Sequence, residues 1–258
     1  MDGYGPSTYG DRFADVYDDW YADVSDVEAT AERIVALAGP GERVLELGAG
    51  SGRLAVPLAE RGLDVWAVDA SSAMLDRLRA RPGGERVHAV LDDMARLADP
   101  ALAAAGRFAV VLCAFNTLFN LTDTDAQRRC LARARDLLAA DGRLVVEAFV
   151  PPIAGGSDAA VAAVEPRHIG LDEVVLTVSR LDPATRTITG QHLQITEQGV
   201  RLRPWVLHYA APEELDDLAA GAGLTLVERH AGWRDEPFTP ASEVHVSAYS
   251  PTGGAGRR

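Results

Sequence analysis

The sequence contains no lysine, because all 25 residues counted as lysine or arginine are arginines. A P-loop needs a lysine for the phosphates of its nucleotide. Pyridoxal-phosphate and Schiff-base enzymes need a lysine amine. The composition therefore excludes these classes of enzyme.

Positive charge is also scarce, since the formal net charge at pH 7 is −13. Proteins that bind nucleic acids take much of their affinity from basic groups that contact phosphates. We therefore expect no nucleic-acid partner.

Cysteines and long apolar runs are few. Cys113 and Cys130 are the two cysteines, and neither has the spacing of a metal site or of a disulfide framework. We predict no metal site. The chain begins without the basic and apolar segments of a secretory signal, and no apolar run reaches about 18 residues. We expect a cytoplasmic protein without a membrane partner.

The length of 258 residues and the 47% of hydrophobic residues suffice for one sizeable core. We predict a single domain, 1–258.

The organising segment of this domain is VLELGAGSGR, from Val44 to Arg53, in which apolar strand residues are followed by glycines at 48, 50 and 52 and then by helical spacing. Strand, tight turn and helix bring bare backbone and free N–H groups to a ligand, so an anionic or zwitterionic cofactor fits there. A dinucleotide fingerprint needs a small residue where Arg53 stands, which weakens a nicotinamide interpretation.

Acidic residues follow the next two predicted strands. Asp69 ends the strand LDVWAVD and lies 19 residues after Gly50. In a doubly wound sheet an acid at this place can accept the ribose hydroxyls of a nucleoside. Asp92, Asp93 and Met94 end the third strand, where a carboxylate can accept an adenine amino group.

The remaining segments predict the layout of the domain. A helical N-terminal cap is expected over 9–38, a cofactor-binding sheet over 40–150 and 211–250, and a disordered tail over 251–258. Three runs with turn signals between them predict an antiparallel, substrate-side insertion over 165–210. The fold class is therefore α/β, with a Rossmann-like, doubly wound, mostly parallel sheet, the helical cap and a three-stranded antiparallel insertion.

The combination ELGAGSG, VDAS and LDDM with the later strands resembles the class I S-adenosylmethionine-dependent methyltransferases. The N-terminal VYDDWY and the insertion are similar to the branch of sugar N-methyltransferases and glycine N-methyltransferase-like enzymes. The resemblance implies that Gly48 and Gly50 face the methionine portion, Asp69 the ribose, Asp93 and Met94 the adenine, and Tyr21 the methyl group. The full set assigned to the cofactor is Tyr21, Glu46, Gly48, Ala49, Gly50, Asp69, Ala70, Met74, Asp92, Asp93, Met94 and Phe115.

We therefore expect methyl transfer from S-adenosylmethionine to an N or O atom of a small molecule, such as an amino sugar or another specialised metabolite. The candidates for a catalytic role are Tyr21, Glu147 and His208. A neutral amine can attack without a base, whereas a hydroxyl needs a proton acceptor. The alternative is a redox enzyme or a non-catalytic module that binds a nucleotide on the same sheet. A homodimer is a further expectation.

Overall fold

The computed structural model describes residues 1–22, 24–151 and 160–253. The strands are β1 (Arg43–Leu47), β2 (Asp64–Asp69), β3 (His88–Leu91), β4 (Phe108–Cys113), β5 (Leu138–Phe149), β6 (Val161–Ile169), β7 (Glu173–Asp182), β8 (Thr187–Thr196), β9 (Gly199–His208), β10 (Leu224–His230) and β11 (Val244–Pro251). The α-helices are α1 (Thr8–Phe13), α2 (Tyr17–Trp20), α3 (Val27–Ala38), α4 (Ala55–Glu60), α5 (Ser72–Ala80), α6 (Pro100–Ala105), α7 (Thr124–Leu137) and α8 (Pro212–Gly221).

The main sheet has seven strands in the order β10-β11-β5-β4-β1-β2-β3. Neighbouring strands from β3 to β5 are parallel, and β11 is antiparallel to both of its neighbours. Strand β1 is apolar on both faces: Leu45 and Leu47 belong to one core cluster, and Val44 belongs to the other. This double burial is why β1 reads as a nearly continuous apolar run, and it confirms the predicted doubly wound sheet.

The second sheet has four antiparallel strands in the order β6-β7-β8-β9, where three were expected. The additional strand, β6, occupies one edge, and most of its residues are exposed. It contains Pro166 and a register shift between Pro166 and His168. An edge strand tolerates a proline because the lost N–H faces solvent, so β6 lacks the sequence pattern that identified the other three.

The N-terminal helices α1 and α2 pack between the two sheets. Phe13, Tyr21 and Met74 of α5 form one buried cluster. Arg203 of β9 is 1% exposed and binds Asp15 with N–O distances of 2.5 and 3.0 Å. The N-terminal segment is thereby joined to α5, which flanks the main sheet, and to β9 of the second sheet.

At the other end of the chain, β11 extends to Pro251. Within the predicted disordered tail, residues 254–258 lie outside the described residues. No helix in the described part of the chain is long and apolar enough to cross a membrane.

Candidate active site

A cavity of about 460 Å³ lies at the carboxyl ends of the parallel strands. Its lining includes ten of the predicted site residues, namely Tyr21, Gly48, Gly50, Asp69, Ala70, Met74, Asp92, Asp93, Met94 and Phe115. Residues of the N-terminal segment and of β8 and β9 complete the wall. The volume falls in the range of small-ligand sites, and the position is the usual one for ligands of open α/β sheets.

The loop after β1 presents its backbone to this cavity. Gly48 and Gly50 have φ values of +64° and +56°, which are unfavourable for residues with a Cβ. A Cβ on Gly48 would also lie 2.3 Å from Cγ2 of Thr117. Ala49, which was also predicted to contact the cofactor, lies outside the cavity lining, and its N–H donates to the carbonyl of Val68 at 3.0 Å.

Asp69 connects this loop to the end of β2. Its Oδ2 accepts from the N–H of Gly50 and its Oδ1 from the N–H of Ser71, both at 2.8 Å. Burial raises the pKa of Asp69, and these two backbone donors oppose that rise. Each carboxylate oxygen has a further lone pair, so Asp69 retains the capacity to accept the two hydroxyls of a ribose.

Glu46 lies outside the cavity lining and is only 4% exposed. Its Oε2 has no hydrogen-bond partner, although it is buried. Burial raises the pKa of Glu46 to about 8, and the positive charge of Arg53 opposes the rise. A buried polar atom without a partner commonly marks a place for a ligand or a bound water. Glu46 therefore has an oxygen that is available for a hydrogen bond with a ligand or a bound water beside the glycine loop.

The two acids after β3 differ in how much of their carboxylate is already bound. Asp92 accepts from the N–H groups of Ala98 and Asp99 through one oxygen and from that of Asp93 through the other. Asp93 accepts from Ala95 through Oδ1. Asp93 thus has an oxygen left for a ligand, whereas Asp92 mainly holds the loop.

Aromatic rings cover the cavity on the side of the N-terminal segment. Tyr17 stacks near Tyr21 with ring centroids 4.9 Å apart, and Tyr21 meets Phe115 edge to face at 6.2 Å. The Tyr17 ring also lies 3.6 Å from where a Cβ of Gly50 would be. Burial raises the pKa of Tyr17 to about 12, so its hydroxyl stays protonated near neutral pH.

Neither Glu147 nor His208 lines the cavity. Glu147 accepts from the N–H of Phe115 at 2.7 Å and from the indole of Trp233 at 2.8 Å. The ring of His208 pairs with Thr124 at 2.9 Å, and burial lowers its pKa. Of the three predicted catalytic residues, only Tyr21 lines the cavity. Glu147 is connected to the cavity indirectly, through its hydrogen bond with the N–H of Phe115, which has a φ of +47°.

Two residues that are absent from the predicted site lie on the insertion. His192 and Trp205 both line the cavity. The Nδ1 atom of His192 pairs with Thr177 at 2.9 Å, and burial lowers the pKa of this histidine to about 4. The indole of Trp205 lies against Gly190, where a Cβ would be 2.2 Å from the ring. Side-chain alternation along β8 and β9 could have shown that these residues share a face.

The polar atoms of lining residues that are buried without a partner include Nε1 of Trp205 and Oδ1 of Asn120. A buried donor and acceptor that find no protein partner favour a ligand with polar groups of its own.

Charged side chains give the cavity an acidic character. Among the described residues, Asp69, Asp92, Asp93 and Asp123 line it, together with the guanidinium of Arg129. This excess of carboxylates suits a ligand that carries positive charge. In the part of the chain that the structure describes, no group of three His, Cys, Asp or Glu residues could hold a metal ion.

Ion pairs join the N-terminal segment to the glycine loop and to α5. Asp18 accepts from the hydroxyl of Ser51 at 2.5 Å and pairs with Arg77 and Arg81 at 2.8 and 2.5 Å. These charged contacts lower the pKa of Asp18, although burial opposes the effect. The wall of the cavity and the loop beneath it are consequently one connected structure.

Comparisons with known proteins agree with this geometry. The family model described as "Methyltransferase domain" matches residues 44–142. The solved structure of the CcbJ methyltransferase from Streptomyces caelestis is 40% identical in sequence, with a TM-score of 0.87, and the match covers 97% of this chain and 100% of that one. The sugar N-methyltransferase KedS8 from Streptoalloteichus sp. ATCC 53650 is 23% identical with a TM-score of 0.61 over 96% and 98% of the two chains, which shows the fold.

A curated relative, the probable non-canonical nonribosomal peptide synthetase CymA of Salinispora arenicola (strain CNS-205), is 43% identical over 121 residues. The match covers 46% of this chain and 2% of that protein, so the chain spans a small part of this relative's length.

The extent of the CcbJ match establishes that the chain belongs to the S-adenosylmethionine-dependent methyltransferases. Family membership decides against the alternative of a nucleotide-binding redox enzyme or module. The cofactor also fits the cavity chemically. The glycine loop offers backbone at positive φ, Asp69 offers hydroxyl acceptors, and Glu46 has an unpaired oxygen beside the loop.

Proposed function

We propose that the protein methylates an amine nitrogen of a small molecule, such as an amino sugar or another specialised metabolite. One observation carries the choice of nitrogen. The lining residues Tyr21, Phe115, His192 and Trp205 carry no carboxylate, and burial lowers the pKa of His192 to about 4, which makes this histidine a weak proton acceptor. A hydroxyl nucleophile would need a proton acceptor there, whereas a neutral amine needs none.

S-adenosylmethionine supplies an electrophilic methyl group on a sulfonium, and its positive charge is lost as the methyl leaves. The protein then has to hold the nucleophile in line and exclude water. Tyr21 is 8% exposed and provides a hydroxyl oxygen that can accept from an amine N–H, which leaves the amine lone pair free to face the methyl group. Glu147 is a positioning residue, because it fixes Phe115 through the backbone N–H. Asp69 and Asp93 would hold the nucleoside.

The sugar N-methyltransferase KedS8 shares the fold, which supports an amino-sugar acceptor. Buried donors and acceptors beside aromatic faces also suit a polar ring. We further propose one methyltransferase domain over 1–258, with the cap at 9–38, the cofactor sheet at 40–150 and 211–250 and the insertion at 165–210. Its cysteines are free and buried, which is compatible with our expectation of a cytoplasmic protein.

The test is methyl transfer from labelled S-adenosylmethionine to matched amine and hydroxyl analogues of sugars and aglycones. We expect transfer to amines only. The rate should rise with pH until the acceptor amine is deprotonated, and its apparent pKa should change when the acceptor is changed. Transfer to the hydroxyl analogues at comparable rates would overturn the assignment.

Tyr21→Phe separates orientation from cofactor binding. The variant keeps the ring that packs against Tyr17 and Phe115 and removes only the hydroxyl. We expect kcat to fall about tenfold or more while the Kd of S-adenosylmethionine changes less than about threefold, as for a group that acts mainly in the transition state. Full activity in this variant would leave Tyr21 as a packing residue.

A further inference from the structure

A buried histidine of the second sheet lines the cavity without a part in the proposed methyl transfer. His192 lies on β8 and is 6% exposed, and it belongs to the cavity lining. Three aromatic rings pack against it. Phe13 and Trp20 meet the imidazole edge to face at 5.7 and 5.8 Å, and the Trp205 ring lies at 6.0 Å. These contacts restrict the plane of the imidazole.

The two ring nitrogens of His192 differ in their surroundings. Nδ1 lies 2.9 Å from the hydroxyl oxygen of Thr177, which is the residue directly opposite on β7. Nε2 has no hydrogen-bond partner among the residues that the structure describes. A neutral imidazole has one donor and one acceptor nitrogen, and Thr177 occupies one of them. Nε2 is therefore the atom that His192 can offer to a ligand in the cavity.

A purely structural role does not account for this arrangement. A phenylalanine would fill the same space among the three rings and would leave no hydrogen-bonding atom without a partner. Polar atoms in such places are normally paired, because an unpaired one costs free energy. A histidine at this position of the wall thus indicates a partner that comes with the ligand.

The same residue is unsuited to take a proton from the acceptor. Burial lowers the pKa of His192 to about 4, and the positive charges of Arg167 and Arg203 act in the same direction. The ring is consequently uncharged near neutral pH. Arg203 is itself paired with Asp15, so the wall beside the histidine has no free guanidinium at this position for an anionic ligand.

We propose that His192 determines specificity for an acceptor that carries a hydroxyl near the methylated amine, and that this hydroxyl forms a hydrogen bond with Nε2. A hydroxyl matches a neutral imidazole in either tautomer, because it can donate to a bare nitrogen or accept from a protonated one. Thr177 is a positioning residue, since its bond to Nδ1 decides which way the ring is turned. The inference rests on the proposed amine methylation and narrows the acceptor class to amino alcohols.

The location of His192 in the wall suits this contact. The rings of His192 and Tyr21 both pack against Phe13, at 5.7 and 6.4 Å between centroids. The hydroxyl of Tyr21 and the Nε2 atom of His192 therefore belong to the same part of the wall. An acceptor whose amine and hydroxyl are a few bonds apart can meet both residues at once.

The first test uses two amines that differ by one hydroxyl, 2-aminocyclohexanol and cyclohexylamine, as acceptors with labelled S-adenosylmethionine. For at least one of the cis and trans isomers of the amino alcohol, we expect a wild-type kcat/KM about threefold to tenfold above that of cyclohexylamine, as for one uncharged hydrogen bond. His192→Phe keeps the aromatic packing and should lose this preference, while its rate with cyclohexylamine changes less than about twofold. Thr177→Val should lower the preference in part.

His168→Phe is the matched control for these variants. His168 is an exposed histidine on β6 of the same sheet and lies outside the cavity lining. This variant should keep the wild-type preference for the amino alcohol.

Nitrogen-15 NMR of the histidine rings gives a second measurement that needs no turnover. The protein is saturated with the demethylated cofactor, and the Nε2 resonance of His192 is assigned by its absence in His192→Phe. We expect this resonance to shift when 2-aminocyclohexanol is added at millimolar concentration and to stay in place when cyclohexylamine is added.

The outcomes separate this inference from the proposed function. Equal wild-type rates with the two amines, a preference that survives His192→Phe, or an Nε2 resonance that ignores the amino alcohol would overturn the role of His192. If neither amine is turned over, the NMR result decides. Methylation of the hydroxyl oxygen of 2-aminocyclohexanol, detected by mass spectrometry of the product, would refute amine methylation instead.

Discussion

Replacing Glu46 with glutamine should change how the stability of the protein depends on pH. The folded protein holds this carboxyl at a pKa of about 8, against an ordinary value of 4.5, because burial disfavours the ionised form. Between these two pH values, the folded state keeps a proton that the unfolded state releases. The free energy of unfolding contributed by Glu46 therefore falls as pH rises from about 4.5 to 8 and is constant above about 8.

The size of this effect follows from the same two values. One pKa unit corresponds to about 1.36 kcal/mol, so the full difference sets an upper limit of about 5 kcal/mol. Relaxation of the protein around the charge reduces such penalties, and we expect about 2–4 kcal/mol. Glu46→Gln removes the titration and keeps the shape of the side chain. The variant should thus become more stable than the wild type as pH rises from 5 to 8.

Urea denaturation at pH values from 5 to 9 measures this difference. His192 and His245 have pKa values lowered to about 4, so their contribution to stability is lost as pH falls from about 6.5 toward 4. This loss is common to both proteins and cancels in the comparison. Glu85→Gln, at an exposed glutamate, is the control and should follow the wild type. Parallel pH profiles for wild type and Glu46→Gln would refute the assignment of a protonated buried carboxyl.

Three further substitutions test the site. Gly50→Ala and Gly62→Ala both place a Cβ at positive φ, so each should lower the free energy of unfolding by about 1–2 kcal/mol in thermal unfolding. Only Gly50→Ala should also weaken cofactor binding, at least tenfold in calorimetry. Equal cofactor affinities in the two variants would refute the loop assignment. Asp69→Ala should weaken cofactor binding by about 2 kcal/mol, whereas Asp64→Ala at the other end of β2 should leave the Kd of the cofactor unchanged. An unaltered Kd in both variants would contradict the ribose contact. Gly190→Ala crowds the indole of Trp205 on the neighbouring strand, so steady-state kinetics should show a higher KM for the acceptor at constant cofactor affinity. An unchanged KM would show that the indole is not part of the acceptor wall.

The cofactor half of the cavity was predictable because parallel strands bring their carboxyl ends to one edge. The pair Gly48 and Gly50, Asp69, and Asp93 come from three separate segments of the chain, at the carboxyl ends of β1, β2 and β3. Adjacent strands in a known order then place the residues together without further information. The structure does bring these four residues to one cavity, while their individual contacts with the cofactor stay predictions.

The acceptor half was less predictable because it depends on how separate layers pack. Glu147 ends a parallel strand, as a ligand-binding acid would, but its carboxylate is used by Phe115 and Trp233. Trp205 reads as a packing residue, and only the register of β9 against β8 places it on the cavity side. The edge strand β6 escaped notice because its exposed residues follow no clear alternation.

The ion pairs of Asp15 and Asp18 have a consequence for the order of events in a catalytic cycle. Asp18 holds α2 to the cofactor loop, and Asp15 holds the same N-terminal segment to Arg203 of the acceptor wall. If the N-terminal segment moves to admit the cofactor, these contacts should move the wall against which the acceptor binds. We therefore expect an ordered sequence, in which S-adenosylmethionine enters first, the acceptor binds second, and the demethylated cofactor leaves last. Product inhibition by the demethylated cofactor should accordingly be competitive with S-adenosylmethionine and noncompetitive with the acceptor.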